Sequence, residues 1–248
     1  LISGKDAFEL YDTFGFPIDL TKEILSEKGM SVDEDRFRAL VLQQRETARA
    51  SRKNAGADAW AGDSDVLDDI AKTEFVGYTD MKATAKVTAI VKDGARVEAV
   101  ETGDDIVFTL DRTSFYAESG GQVGDTGVIT NDSCTIRVLD TTKNAAGVFI
   151  HKAVVEEGFL REGDTVEAVV DVERRRAIMR NHTAAHLLQA ALRSVLGDHV
   201  EQAGQLVNEN AVRFDFTHFS ALTDEELLAV ENLVNEKILE DIKVECRE

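Results

Sequence analysis

Residues 82–101, KATAKVTAIVKDGARVEAVE, decide what kind of fold this chain adopts. Two runs of small and β-branched apolar residues flank Asp93-Gly94, a pair that tolerates positive φ and so gives one of the stronger two-residue hairpin signals. The series continues with DIVFTL (105–110), CTIRVLD (134–140), GVFIHKAVV (147–155) and DTVEAVVD (164–171). Short strands at regular intervals predict a small β-barrel or sandwich.

Working outward, the period changes on both sides. In FGFPIDLTKEILSEKGMSVDEDRF (14–37), Pro17 follows a turn, Leu20, Ile24 and Leu25 form an apolar stripe, and Gly29 stands where a helix C-cap belongs. Ser31 and Glu34 read as a capping box, after which Phe37, Leu40 and Val41 recur with a helical period. From about Ser51 to Asp69 the text turns to Ala, Gly, Asp and Ser around a lone Trp60, the composition of a loop or linker. Beyond the strands, helix returns from about Val172 to Leu196 and stops at Gly197. AVRFDF (211–216) alternates Val212, Phe214 and Phe216 as a strand with one buried face. Thr223 and Glu226 then form a capping box ahead of a helix carrying Leu227, Leu228, Val230, Leu233, Val234 and Ile238.

The fold expected is therefore α+β: a small helical unit, a β-barrel subdomain, then a helix-and-strand subdomain. The boundaries read as 1–53 helical, 54–75 linker, 76–171 barrel and 172–248 helix and strand.

The chain has 248 residues, enough for two ordinary domains, and its 43% hydrophobic and 30% charged composition is that of a globular protein. No apolar run approaches the ~20 residues that span a bilayer, so no membrane partner is expected. The N-terminus carries no signal-peptide pattern and no starting methionine, which suggests a piece of something longer. Cys134 and Cys246 lie far apart, so a reducing, cytoplasmic setting is the default. With 28 basic against 47 acidic side chains the formal charge is −19, which argues against non-specific nucleic-acid binding by the whole surface. Two basic clusters stand out: Arg45, Arg49, Arg52 and Lys53, and Arg174, Arg175, Arg176 and Arg180. Either a solvated helix face or phosphate contact accounts for them.

RNHTAAHLLQAAL (180–192) sets His182 and His186 four residues apart. On a helix both imidazoles share one face, the geometry of a ligand pair, although two half-buried, hydrogen-bonded histidines fit the spacing equally well. The H-E-x-x-H of metalloproteases carries its general base directly after the first histidine; here that residue is Thr183, so a peptidase reading loses its base. SFYAESGGQVGDTG (114–127) permits tight turns and close approach at Gly120 and Gly121, but it matches neither the P-loop nor the dinucleotide fingerprint, so no ATP site is offered.

Taken together, SGKDAFELYDTFGFPIDLTKEI (3–24), FYAESGGQVGDTG (115–127), NHTAAHLL (181–188), HVEQAGQLV (199–207) and RFDFTHFSALTDEEL (213–227) resemble successive motifs of the alanyl-tRNA synthetase family. The resemblance identifies the first as the end of a helical tRNA-recognition region and the others as an editing domain. It implies that His182 and His186 are zinc ligands, completed in that family by a downstream C-x-x-x-H element; Cys246 comes too early and lacks the following histidine, so only a half-site is assigned and the editing subdomain reads as truncated at its C-terminus. It implies a catalytic-pocket role for Gln202 and a substrate-binding role for Ser119, Gly120, Gly121 and Gln122, set opposite from the barrel. It revives phosphate contact for Arg174, Arg175, Arg176 and Arg180. Ala185 replaces a common threonine and Gln205 a frequent serine.

The activity implied for the parent is attachment of alanine to its tRNA with ATP and magnesium, in a domain absent from this stretch, together with hydrolysis of mischarged seryl- or glycyl-tRNA. A second sieve follows from general reasoning about aminoacyl-tRNA synthetases: a missing methyl or an added hydroxyl changes binding by only about 1–3 kcal/mol. The expected partner is the tRNA for alanine and not DNA. Apolar residues along the last helix suggest self-association. A free-standing editing hydrolase and a non-catalytic tRNA-binding module are the alternatives.

Overall fold

The computed structural model describes residues 2–14, 18–41, 43, 65–67 and 69–243. Two compact units divide the chain, Leu1–Gly62 and Asp63–Glu248. Pro17, Trp60, Cys246 and the cluster Arg45, Arg49, Arg52 and Lys53 lie outside the described residues.

The first unit is helical, as its periodicity predicts: α1 is Gly4–Phe14, α2 is Ile18–Glu27 and α3 covers residues 34–41. Ala7, Leu25 and Phe37 are buried, and Tyr11 meets Phe37 edge-on at 5.6 Å. Leu20 and Ile24 are 41% and 40% exposed, so Leu25 alone of the expected stripe joins this core. Gly29 has φ +65° where α2 ends. The expected Ser31 cap is corrected. Arg36 N–H donates to Asp33 Oδ1 at 3.0 Å, which makes Asp33 the N-cap of α3; the Ser31 carbonyl accepts from Ile2 N–H at 2.7 Å, and Glu34 pairs with Lys22 and Arg38.

The second unit begins earlier than the expected linker allows. Among the described residues of that linker, Asp65–Leu67 form a 3-10 turn with Leu67 fully buried, and Asp69 pairs with Arg96 at 2.9 Å. Strand β1 (Glu74–Phe75) lies parallel to β6 (Arg112–Thr113). Leu67 and Phe75 are apolar anchors that the surrounding Ala, Gly and Asp composition conceals.

The Asp93-Gly94 turn joins β2 (Lys82–Lys92) to β3 (Ala95–Arg96), and both turn residues have positive φ, 52° and 76°. β4 is Ala99–Glu101, β5 Asp105–Leu110, β7 Gly127–Asn131, β8 Cys134–Lys143, β9 Phe149–Arg161 and β10 Thr165–Val170. The sheet runs β10-β7-β8-β9-β5-β2, and β2 pairs back to β10, so six antiparallel strands close a barrel. Alternation fills it: Val87, Ile106, Phe108, Ile129, Ile136, Val155 and Val166 interlock with the small Ala85, Ala153 and Ala168.

After the barrel come α4 (Val172–Leu196), the antiparallel hairpin β11 (Gln202–Val207) and β12 (Val212–Phe216), and α5 (Asp224–Leu239). Asp171 caps α4 by accepting from Arg174 N–H, and Gly197 ends it. The Thr223–Glu226 capping box forms at α5. One small core joins Ile178, Ala185 and Val207; another joins Ala191, Leu192, Val200 and Val230. No helix among the described residues is long and apolar enough to cross a membrane.

Candidate functional site

The site lies where the barrel's glycine loop meets α4. Gly120 and Gly121 have φ +60° and +80°, so the chain reverses within four residues and Ser119 and Gln122 exchange backbone hydrogen bonds at 3.1 and 3.0 Å. The same loop grips β11: Val207 N–H donates to Gly121 O at 2.8 Å, Val123 N–H to Val207 O at 3.1 Å, and Gln205 Nε2 to Gly120 O at 2.5 Å. A Cβ on Gly121 would stand 2.5 Å from Gln205 O, so the close approach requires glycine there.

The ligand-pair spacing is realised on α4. His182 and His186 stack with ring centroids 5.2 Å apart and planes 8° from parallel. Gln122, 6% exposed, reaches across so that its Oε1 lies 2.6 Å from His182 Nδ1. Burial, and after it the neighbouring His186, lowers the pKa of His182, which keeps its imidazole neutral and able to donate a lone pair at neutral pH. Two nitrogens on one helix face suit two of the four positions of a tetrahedral zinc. Among the described residues no group of three or more His, Cys, Asp or Glu is arranged to hold a metal ion. The other histidines are spent elsewhere: His199 Nε2 lies 2.9 Å from His218 Nδ1, and His151 is sealed in the barrel, 3.0 Å from Thr113 Oγ1.

Gln202 is exposed at the start of β11, opposite Phe216. The glutamine that meets His182 is Gln122. Position 185 is 2% exposed in the core with Ile178 and Val207, a place that suits alanine.

The basic cluster needs a correction. Arg175 is 4% exposed, and its guanidinium makes an ion pair with Asp125 while donating to Gly77 O and Ser114 O, both at 2.9 Å. It is a barrel-to-helix tie, unavailable to a phosphate, because its position in the helix turns it inward with Ile178. Arg174 donates to Gly124 O at 2.8 Å and pairs with Glu209 at 3.2 Å, whereas Arg176 and Arg180 are exposed. Asp125 is a residue the sequence reading passed over: an acid inside the glycine-rich stretch that also accepts from Tyr116 N–H at 2.7 Å.

Residues 1–174 match the family model described as tRNA synthetases class II (A). The chain belongs to that family. Curated relatives extend the likeness over the rest, including the histidine helix. An alanine–tRNA ligase of Acetivibrio thermocellus is 51% identical over 249 residues, covering 100% of this chain and 28% of the relative. Those of Thermoanaerobacter sp. (strain X514) and Clostridioides difficile are 49% and 45% identical, over 100% and 99% of this chain. The chain thus spans 28% of the length of these synthetase relatives.

Proposed function

We propose that the junction of barrel loop and histidine helix is the editing site of an alanine–tRNA ligase, which hydrolyses the ester joining serine or glycine to the tRNA for alanine. The observation that carries this reading is the contact of Gln122 with His182, which brings a close-packed loop from one subdomain against the stacked imidazole pair of the other. His182 and His186 would hold zinc, whose chemistry when bound is that of a Lewis acid toward an ester carbonyl or water. The backbone of Ser119 to Gln122 shapes the facing wall, and Gln202 contributes a polar group at the exposed start of β11. The remainder of such a ligase attaches alanine using ATP and magnesium, in the cytoplasm.

Arg176 and Arg180 are the proposed phosphate contacts, with Arg174 in support; their exposure on α4 favours this. Changing Arg176 and Arg180 to Glu should weaken tRNA binding and flatten its salt dependence, and an unchanged slope assigns them to the solvated surface. The exposed Leu227, Leu228, Ile238 and Leu239 favour self-association.

The test is deacylation of seryl-tRNA by the purified, zinc-supplemented chain beside a His182→Ala, His186→Ala double variant. Hydrolysis lost in the variant supports editing. A second reading rests on the two-donor set: tRNA binding with no hydrolysis by either protein would make this part a non-catalytic tRNA-binding module.

A further inference from the structure

Within the Ser119–Gln122 turn, Gln122 is the residue whose side chain is both buried and aimed. Its backbone is fixed on two sides, by exchange with Ser119 and by the bridge to Val207. Only 6% of the residue is exposed, and its Oε1 lies 2.6 Å from His182 Nδ1. A carboxamide oxygen has no proton to give, so this bond requires the imidazole to carry its proton on Nδ1. Nε2 is then the atom with the lone pair. Stacking against His186 at 5.2 Å limits the ring's rotation, so the contact sets the tautomer as well as the rotamer.

We infer that Gln122 is a positioning residue that locks His182 in its Nδ1–H tautomer and presents Nε2 as the ligand atom for a zinc ion. The inference rests on the editing-site reading above and reassigns Gln122 from substrate contact to ligand orientation. Histidine ligands commonly donate their second ring N–H to such an acceptor, and loss of the acceptor typically weakens metal binding about 10–100-fold. A carboxamide orients the ring without the added negative charge of a carboxylate, so Gln122→Glu should keep the tautomer and bind zinc at least as tightly.

The experiment uses the metal-free chain, with long-range 1H–15N correlations of the histidine rings assigned by loss of the His182 signal in His182→Asn. Wild type and Gln122→Glu should show the Nδ1–H form, whereas Gln122→Met, of similar length but without the acceptor, should shift toward Nε2–H; far-UV circular dichroism checks that each variant folds. Zinc titrations of the same proteins should then give a dissociation constant about 10–100-fold weaker for Gln122→Met alone. An Nε2–H tautomer in the wild type, or a Met variant with unchanged tautomer and unchanged zinc affinity, overturns the inference. The two readings fail separately: a Gln122-dependent tautomer with no zinc binding by the wild type sustains the positioning role and defeats the metal centre. Zinc binding with a Gln122-independent tautomer does the reverse.

Discussion

Removing Arg175 should destabilise the second unit more than any change to its exposed arginines. Its guanidinium holds Asp125, Gly77 O and Ser114 O, with 5% of the Arg side chain and 1% of the Asp side chain exposed. Arg175→Met strands a buried carboxylate and orphans two carbonyl acceptors. Breaking a buried pair this way costs about 3–5 kcal/mol. Asp125→Asn should cost less, about 1.5–3 kcal/mol, because the amide oxygen still accepts and the arginine keeps both carbonyls. At about 2–4 °C per kcal/mol for a protein of this size, the Met variant should melt roughly 6–20 °C lower. Urea unfolding of both single variants and the double variant measures this, with the double expected to lose less than the sum because the uncompensated charge is gone. A loss below about 1 kcal/mol for Arg175→Met, or a larger loss for Asp125→Asn, would refute the reasoning.

Other consequences follow from the barrel and its loop. Burial lowers the His151 pKa to about 4 from an ordinary 6.5, so the unfolded chain takes up this proton as pH falls through 6.5 while the folded barrel refuses it until about 4. Stability should therefore drop with pH across that window by about 3 kcal/mol more than in His151→Gln, and parallel pH profiles for the two would contradict a neutral buried imidazole. Gly120→Ala meets nothing within 4 Å and should cost only the positive-φ penalty of about 1–2 kcal/mol, whereas Gly121→Ala also meets Gln205 O at 2.5 Å and should cost more. Equal unfolding midpoints for the two glycine variants would remove the close-approach argument.

Much of the fold was legible because its signals are local. Asp93-Gly94 reads as a hairpin from two residues' tolerance of positive φ, and Gly197 and the Thr223–Glu226 box mark helix ends by capping chemistry alone. The Ser31 cap failed for the same reason that it looked sound: Asp33, one residue before the helix, offers an equivalent oxygen, and the Ile2–Ser31 contact that decides between them is remote in sequence. Closure of the barrel through β2 and β10 is likewise non-local.

At the site, the histidine pair and glycine loop were visible as residue types, and their meeting was not. Which member of the Arg174–Arg176 run turns inward is a matter of helical phase, since Arg175, Ile178, His182 and Ala185 recur at spacings of three and four; a phase count would have found it. His151 was legible in the same way, because it alternates inward with Phe149, Ala153 and Val155.

The most direct measurement is the deacylation rate of seryl-tRNA against alanyl-tRNA, both charged on the tRNA for alanine, with the wild-type chain and the His182→Ala, His186→Ala variant under zinc. An editing site predicts hydrolysis of the seryl ester about tenfold or more faster than the alanyl ester, and a return of the variant to the rate without protein. Equal rates for the two esters, or full activity in the variant, would contradict it.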